Sequence, residues 1–176
     1  HRWREWLTRG ARGLVLEVGC GTGRNLLRYP PDVSVIGVDP SEDALKAARR
    51  RAPSVPLVRA SAEALPFRDG AFDTVVSGLV FCSVPSPERG LAEVRRVLRD
   101  DGALRMVEHV RATRRFQASW QDFIQPAWTW ISGGCHPNRD TEAAVRRAGF
   151  DILPETLRAR GTLRRFAARK SARPVG

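Results

Sequence analysis

The residues best able to do chemistry stand in one short string, Glu17-Val18-Gly19-Cys20-Gly21-Thr22-Gly23, and Asp39 follows 20 residues after Gly19. Closely spaced glycines let a backbone turn sharply and let a ligand come close to the main chain. In open α/β sheets, nucleotides bind at such a loop, at the carboxyl ends of the strands. A dinucleotide calls for G-x-G-x-x-G. Counted from Gly19, that pattern needs glycine at position 24, where Arg24 stands; counted from Gly21, it meets Leu26. A carboxylate at Asp39, followed by Pro40, can accept both hydroxyls of a ribose. The plainer alternative is a glycine-rich turn with Asp39 as a helix cap.

Other reactive side chains lie farther along. His109 is the best-placed general base for an oxygen acceptor; the alternative is a structural ring packed beside tryptophans. Glu108 reads as a group that orients His109 or caps the cleft. Cys20 and Cys82 read either as cleft-lining thiols or as small buried hydrophobes. Cys135-His136 invites a metal together with Cys82 and His109, but adjacent ligands lack zinc spacing, so no metal is expected. Three widely spaced cysteines without a C-x-x-C pair also make neither a disulfide framework nor a zinc ribbon.

Alternating apolar runs and helical patterns supply the frame. Leu14 to Val18 reads as a buried strand running into the glycine loop, Arg24 to Tyr29 as a short helix closed by Pro30-Pro31, and Ser34 to Asp39 as a second strand. Ser41 to Arg51 is a helix with Ser41 as N-cap and Glu42 and Asp43 in its first turn. Val55 to Ala60 and Phe72 to Ser77 are further strands. Pro87 to Leu98 is a helix with Leu91, Val94 and Leu98 on one face. Ala103 to Val110 is a fifth strand. Phe116 to Ile131 then holds Trp120, Trp128 and Trp130 around Pro126, which kinks or breaks any helix there. Thr141 to Ala148 is a helix ended by Gly149, and Asp151 to Leu157 with Leu163 to Ala168 form a closing pair of strands. Strand alternating with helix implies a parallel sheet with helices on both faces, doubly wound by right-handed crossovers. No repeat, low-complexity segment or linker divides the chain, so one domain is expected over residues 1–176.

The formal charge is +11, from 30 Lys+Arg against 19 Asp+Glu. Only Lys46 and Lys170 are lysine, and a skew of 28 arginines reads more simply as codon bias than as selection for phosphate. From Thr156 to Gly176 there are seven basic residues and no acid. Such a tail can attract RNA, an anionic membrane surface or an acidic substrate; a solvated face is the plainer reading. No aromatics interleave with these arginines as a single-strand stacking platform needs. No apolar run approaches the ~20 residues needed to cross a bilayer, and no signal peptide is visible, which points to a soluble, cytoplasmic protein.

Several strings together resemble the class I S-adenosylmethionine-dependent methyltransferases over residues 14–110. Glu17 to Gly23 has their E-x-G-x-G-x-G form. Ser61-Ala62-Glu63-Ala64-Leu65-Pro66-Phe67 resembles their D-A-x-x-L-P-F segment beside adenine, with Ser61 where Asp is usual. Phe72-Asp73-Thr74-Val75 resembles F-D-x-V. Arg96-Val97-Leu98-Arg99-Asp100-Asp101-Gly102 resembles R-V-L-k-P-G-G, with Asp100-Asp101 in place of Pro-Gly. The resemblance implies a Rossmann-like, doubly wound, seven-stranded α/β sheet, mostly parallel with an antiparallel C-terminal strand. It implies S-adenosyl-L-methionine as cofactor, leaving S-adenosyl-L-homocysteine. Carried onto this chain, the cofactor-binding residues are Glu17, Gly19, Cys20, Gly21, Asp39, Pro40, Ser61, Ala62, Glu63 and Leu79.

Leu79-Val80-Phe81-Cys82-Ser83-Val84, Glu108-His109-Val110, Gln125-Pro126-Ala127-Trp128 and Gly133-Gly134-Cys135-His136 narrow the resemblance. They are similar to the alkyl thiol S-methyltransferase family and its bacterial relatives, from about Leu14 to Ala168. Its animal members sit on the endoplasmic reticulum and carry an N-terminal apolar anchor, which has no counterpart in this sequence. A small, apolar acceptor follows from the resemblance, an alkyl thiol being one candidate, in a pocket with Cys82, Trp120 and Trp128. A lipid or quinone acceptor and an RNA-directed role through the basic surface stand as alternatives. A thiol of pKa ~8.5 ionises readily, more so beside positive charge, and needs little help from a base. The loop Ser77-Gly78-Leu79-Val80 lacks the (D/N)-P-P-(Y/F) of enzymes that methylate amino groups of bases. Only 13 residues precede the first strand, so the covering helices usual in this family read as short or missing. Trp3 and Trp6 read as their remnant, and the site as open or lidded by the Trp-rich segment.

Overall fold

The computed structural model describes residues 2–109 and 139–172. β1 (Leu14–Val18) sits mid-sheet because its apolar run can be covered on both faces. β2 (Ser34–Asp39) and β3 (Leu57–Arg59) lie to one side of it, β4 (Phe72–Gly78) and β5 (Leu98–His109) to the other, all parallel. β8 (Leu163–Lys170) runs antiparallel between β5 and β6 (Phe150–Ile152), giving the order β3-β2-β1-β4-β5-β8-β6. A short β7 (Arg158–Arg160) folds back on β8, so the 8-stranded sheet is the expected seven-strand path plus one hairpin arm. The winding direction changes between β1 and β4, and that change opens a crevice at their carboxyl ends.

Four helices are described: α1 (Arg2–Arg9), α2 (Glu42–Arg51), α3 (Pro87–Val97) and α4 (Thr141–Arg147). Ser41 caps α2 as its sequence predicts, accepting the Ala44 N–H at 3.2 Å. Ser86 and Asp140 cap α3 and α4 in the same way. Leu91, Val94, Val97 and Leu98 are fully buried in the main core with Phe72, Val75, Met106 and Phe166. On the other face of the sheet, Leu7 of α1 packs with Val15, Val76 and Val107.

Several sequence expectations shift, and the strand expected over Val55 to Ala60 covers only Leu57–Arg59. Arg24 to Tyr29 closes only a 3₁₀ turn, Leu26–Arg28, because Tyr29 must be extended before Pro30 (φ −70°, ψ 149°). Asp151 to Leu157 divides into the three-residue β6 and a 3₁₀ turn at Pro154–Thr156, since Pro154 has no N–H to give a ladder. The fifth strand begins at Leu98, not Ala103, with a register shift between Phe72 and Thr74 of its neighbour. The Trp-rich stretch 116–131, with Trp120 and Trp128, and the pair Cys135-His136 lie outside the described residues. No described helix is long and apolar enough to cross a membrane.

An arginine holds α1 on the sheet. Arg105 of β5 donates Nε–H to the Leu7 carbonyl at 3.0 Å and a second N–H to the Trp6 carbonyl, while stacking over the Trp6 ring at 4.1 Å. Carbonyls at the end of a helix have no partner within it, so this guanidinium supplies a cap from across the fold. Arg165 adds a second guanidinium over Trp6, at 4.9 Å. Burial, then the neighbouring Arg165, draws Arg105 down to about 10, which leaves it charged at neutral pH. Arg105→Met is expected to cost about 1–3 kcal/mol in a urea titration and to speed amide exchange along α1. Unchanged stability and exchange would show that α1 docks without it.

Candidate active site

The glycine loop leaves β1 and turns on positive φ at Gly19 (65°) and Gly21 (53°). A side chain at Gly19 would run into Val80 of the facing loop. A Cβ on Gly21 would meet nothing within 4 Å, so the main chain there borders open space. Gly21 N–H donates to Asp39 Oδ2 at 2.9 Å and Ser41 N–H to Asp39 Oδ1 at 2.9 Å. Asp39 therefore ties the loop to the end of β2, and each of its oxygens retains acceptor capacity.

Glu17 is 2% exposed. Its oxygens accept Asn25 Nδ2–H at 2.8 Å and Tyr29 O–H at 2.9 Å. Burial pushes its carboxyl up to about 7, against the pull of those two donors. It braces the loop and is not among the residues that line the cleft. Cys20 does line the cleft, and its thiol is pushed up to about 12, first by burial and then by Glu17 and Asp39. A neutral Cys20 thiol is a packing group rather than a nucleophile.

Glu108 braces the facing loop. Its Oε1 accepts Ser77 O–H at 3.1 Å, Val80 N–H at 3.0 Å and Phe81 N–H at 3.2 Å, and its Oε2 accepts Cys82 N–H at 3.4 Å. Burial raises its pKa, and these donors oppose the rise. This corrects the expectation that it orients His109: its carboxylate is spent on the loop after β4. That loop holds Leu79 at φ 63°, a left-handed conformation that strains a leucine, and leaves the residue 42% exposed.

A cleft of about 600 Å³ opens between α1, the two loops and the β7–β8 hairpin. Of the predicted cofactor residues it brings together Gly19, Cys20, Gly21 and Leu79. Asp39, Pro40, Ser61, Ala62 and Glu63 do not line it; Asp39 ends β2 and the others follow β2 and β3, the next strands across the sheet. Ser61 Oγ accepts the Glu63 N–H at 3.2 Å, and Glu63 Oε1 accepts the Ser86 N–H at 2.7 Å. Cys82 is buried within its loop and does not line the cleft either. His109 ends β5 half-buried, and burial lowers its pKa, which keeps the imidazole neutral at neutral pH.

Sequence reasoning named Trp3 as the remnant of a covering helix, and Trp3 of α1 does line the cleft. It missed Arg4 and Leu7 of the same helix, with Arg24 and Arg160. It missed Glu108's role too, although an acid ending the buried run Leu104-Arg105-Met106-Val107 must find donors. A larger hollow, about 1170 Å³, lies elsewhere, between α3 and α4. Ion-paired side chains such as Arg96 with Asp69 line it, and it contains none of the predicted site residues.

An open α/β sheet with a glycine loop after β1 and an acid ending β2 defines a nucleoside-binding protein. Residues 16–106 match the methyltransferase domain family, and the chain belongs to it. It is 40% identical over 147 residues to human thiol S-methyltransferase TMT1A, covering 79% of this chain and 60% of that protein. It is 41% identical over 103 residues to phosphatidylethanolamine N-methyltransferase of Cereibacter sphaeroides, covering 55% and 51%. A SAM-dependent methyltransferase from Methanosarcina mazei shares the fold at TM-score 0.72 and 21% identity, covering 91% of this chain and 93% of that one. S-adenosylmethionine is the cofactor this family implies, and the open space over Gly21 beside the Asp39 carboxylate fits it.

The Glu17 carboxyl makes stability depend on pH. Its folded value, about 7, lies above the 4.5 of an ordinary glutamate, so between them the native state keeps a proton that the unfolded chain releases. Stability is expected to fall as pH rises through that window, by up to about 3 kcal/mol, and E17Q to flatten the slope. Denaturant titrations of both proteins at about pH 5 and about pH 7.5 check this. Parallel profiles for the two proteins would mean that Glu17 is ionised throughout.

Proposed function

We propose that the protein is an S-adenosylmethionine-dependent methyltransferase that methylates the sulfur of a small, largely apolar thiol. The observation that carries this reading is the 40% identity over 147 residues with a thiol S-methyltransferase. The cleft chemistry supports it. Trp3, Leu7, Leu79, Val107 and Leu163 give it apolar walls, and Arg4, Arg24 and Arg160 give it positive charge. No carboxylate is among its described lining residues.

When bound, S-adenosylmethionine supplies a methyl group on a positive sulfonium, electrophilic toward a thiolate. In this reading the backbone of Gly19 to Gly21 cradles it, Asp39 and Pro40 take the ribose side, and Ser61, Ala62 and Glu63 flank the base. Leu79 and the cleft face of Cys20 press on the reacting end, and Glu17 holds the loop in shape. The arginines favour the ionised acceptor, so its proton leaves to solvent before transfer and no protein base is required. Apolar walls keep water off the thiolate. His109 is the base for an acceptor that does not ionise by itself. Trp120 and Trp128 belong to the acceptor side on the strength of sequence resemblance, while Cys82, buried in the loop after β4, backs that side from behind. One methyltransferase domain over residues 1–176 and a cytoplasmic location complete the reading; the free Cys20 thiol fits a reducing compartment.

A second reading, a lipid acceptor, is favoured by the 41% identity with a phosphatidylethanolamine N-methyltransferase. Release of S-adenosylhomocysteine with an alkyl thiol or with phosphatidylethanolamine vesicles separates the two. Thiol-dependent release is expected; release with vesicles alone would select the lipid. Asp39→Ala and Asp39→Asn are both expected to weaken donor binding about tenfold or more by calorimetry, and intact affinity would remove Asp39 from the ribose.

A further inference from the structure

Four arginines converge beside the cleft. Arg4 of α1, Arg24 after the glycine loop, Arg28 of the 3₁₀ turn and Arg51 at the end of α2 line a hollow of about 580 Å³ with Leu27. Arg4 and Arg24 also line the 600 Å³ cleft, so the two spaces adjoin. No carboxylate is among the hollow's described lining residues. Leu27 is 65% exposed.

Some arginines on other faces are matched by acids, such as Arg9 by Glu5, Arg49 by Glu42, Arg96 by Glu93 and Asp69, and Arg164 by Glu142; what sets this hollow apart is that four arginines share one wall. Among the described residues, Arg24 and Arg28 carry no such ion pair, and Arg4 has none either, though it lies near enough to Glu17 to attract its carboxyl. Arg51 donates to the Thr22 carbonyl and, at 3.0 Å, to Thr22 Oγ1, which fixes one guanidinium beside the glycine loop. Four guanidinium-bearing side chains from separate elements thus share one concave wall with no acid among its described lining residues. The end of α2 accounts only for Arg51. Guanidinium groups facing one hollow repel, and an anion with two or three oxygens relieves that repulsion through forked N–H donors.

We propose that this hollow is an anion subsite for the acceptor, which is a thiol with an apolar stem and a carboxylate, phosphate or sulfonate at its far end. The stem lies along the cleft walls and the anionic end reaches Arg24, Arg28 and Arg51. The proposal rests on the thiol-transfer reading and narrows it. Arg28 is the residue to change, because it lines the hollow and not the cleft.

The test compares a neutral alkyl thiol with an ω-mercaptoalkanoate of equal length, in wild type, Arg28→Gln and Arg28→Lys. Arg28→Gln is expected to raise KM for the anionic thiol about five- to tenfold, with kcat and the neutral thiol unaffected, and Arg28→Lys to restore part of the loss. Equal effects on both thiols would overturn the subsite. A readout independent of turnover is calorimetric binding of the sulfur-free alkanoate to the S-adenosylhomocysteine complex. Binding weakened by Arg28→Gln supports the subsite even if no thiol is methylated, which would sink only the parent reading. Binding indifferent to the substitution overturns it. Inorganic phosphate binding as tightly as the alkanoate would assign the hollow to a free anion. Loss of S-adenosylhomocysteine affinity in Arg28→Gln would assign it to the donor's own carboxylate. Either result would overturn the proposal.

Discussion

Two carboxyl groups withdrawn from water set the shape of this protein's working end. A buried acid is costly unless donors surround it, so the chain around each must fold to present them. Glu17 draws Asn25 and Tyr29 inward and holds the segment that follows the glycine loop. Glu108 draws in three N–H groups and one hydroxyl, and holds the loop after β4. Gly19 and Val80 then meet where the two loops face each other, at a distance only glycine allows. Leu79 is held in a conformation that leucine otherwise avoids. The crevice is built from this pair of constraints.

The third wall has a different physical origin. α1 is short, and its end is capped from β5 by Arg105, with cation–π stacking on Trp6. Residues 98 positions apart in sequence thus close one side of the cleft. The wall is apolar at Trp3 and Leu7 and cationic at Arg4, continuous with the arginines beyond it. An acceptor that is apolar along its length and negative at its end suits both parts.

Local chemistry was legible in the sequence. β1 and β2 begin and end where their apolar runs do, and Ser41 caps the helix that its hydroxyl and the following acids announce. The glycine spacing located the loop, and strand alternating with helix located it at the carboxyl end of a mostly parallel sheet. Pairings across long stretches of chain were not legible. Nothing near Arg105 announces that it caps a helix at the other end of the chain. Glu108 stands next to His109 in sequence, yet successive residues of a strand point to opposite faces, so its partners are the loop amides and not the imidazole. Cys82 sits in a motif suggestive of the acceptor, but the loop turns its side chain inward. Arg24 to Tyr29 looked helical by pattern, and the proline that follows outweighed the pattern.

The claim on which everything else rests is that these two braced loops form the donor site. The most direct measurement is mapping of backbone amide shifts as S-adenosylhomocysteine is added to the protein. Saturable shifts are expected at Cys20 and Gly21, at Asp39 and Ser41, and at Leu79, with little change around Arg96 between α3 and α4. Shifts confined to the α3–α4 hollow, or a glycine loop that does not respond to saturating ligand, would contradict a donor site at the carboxyl ends of β1 and β4.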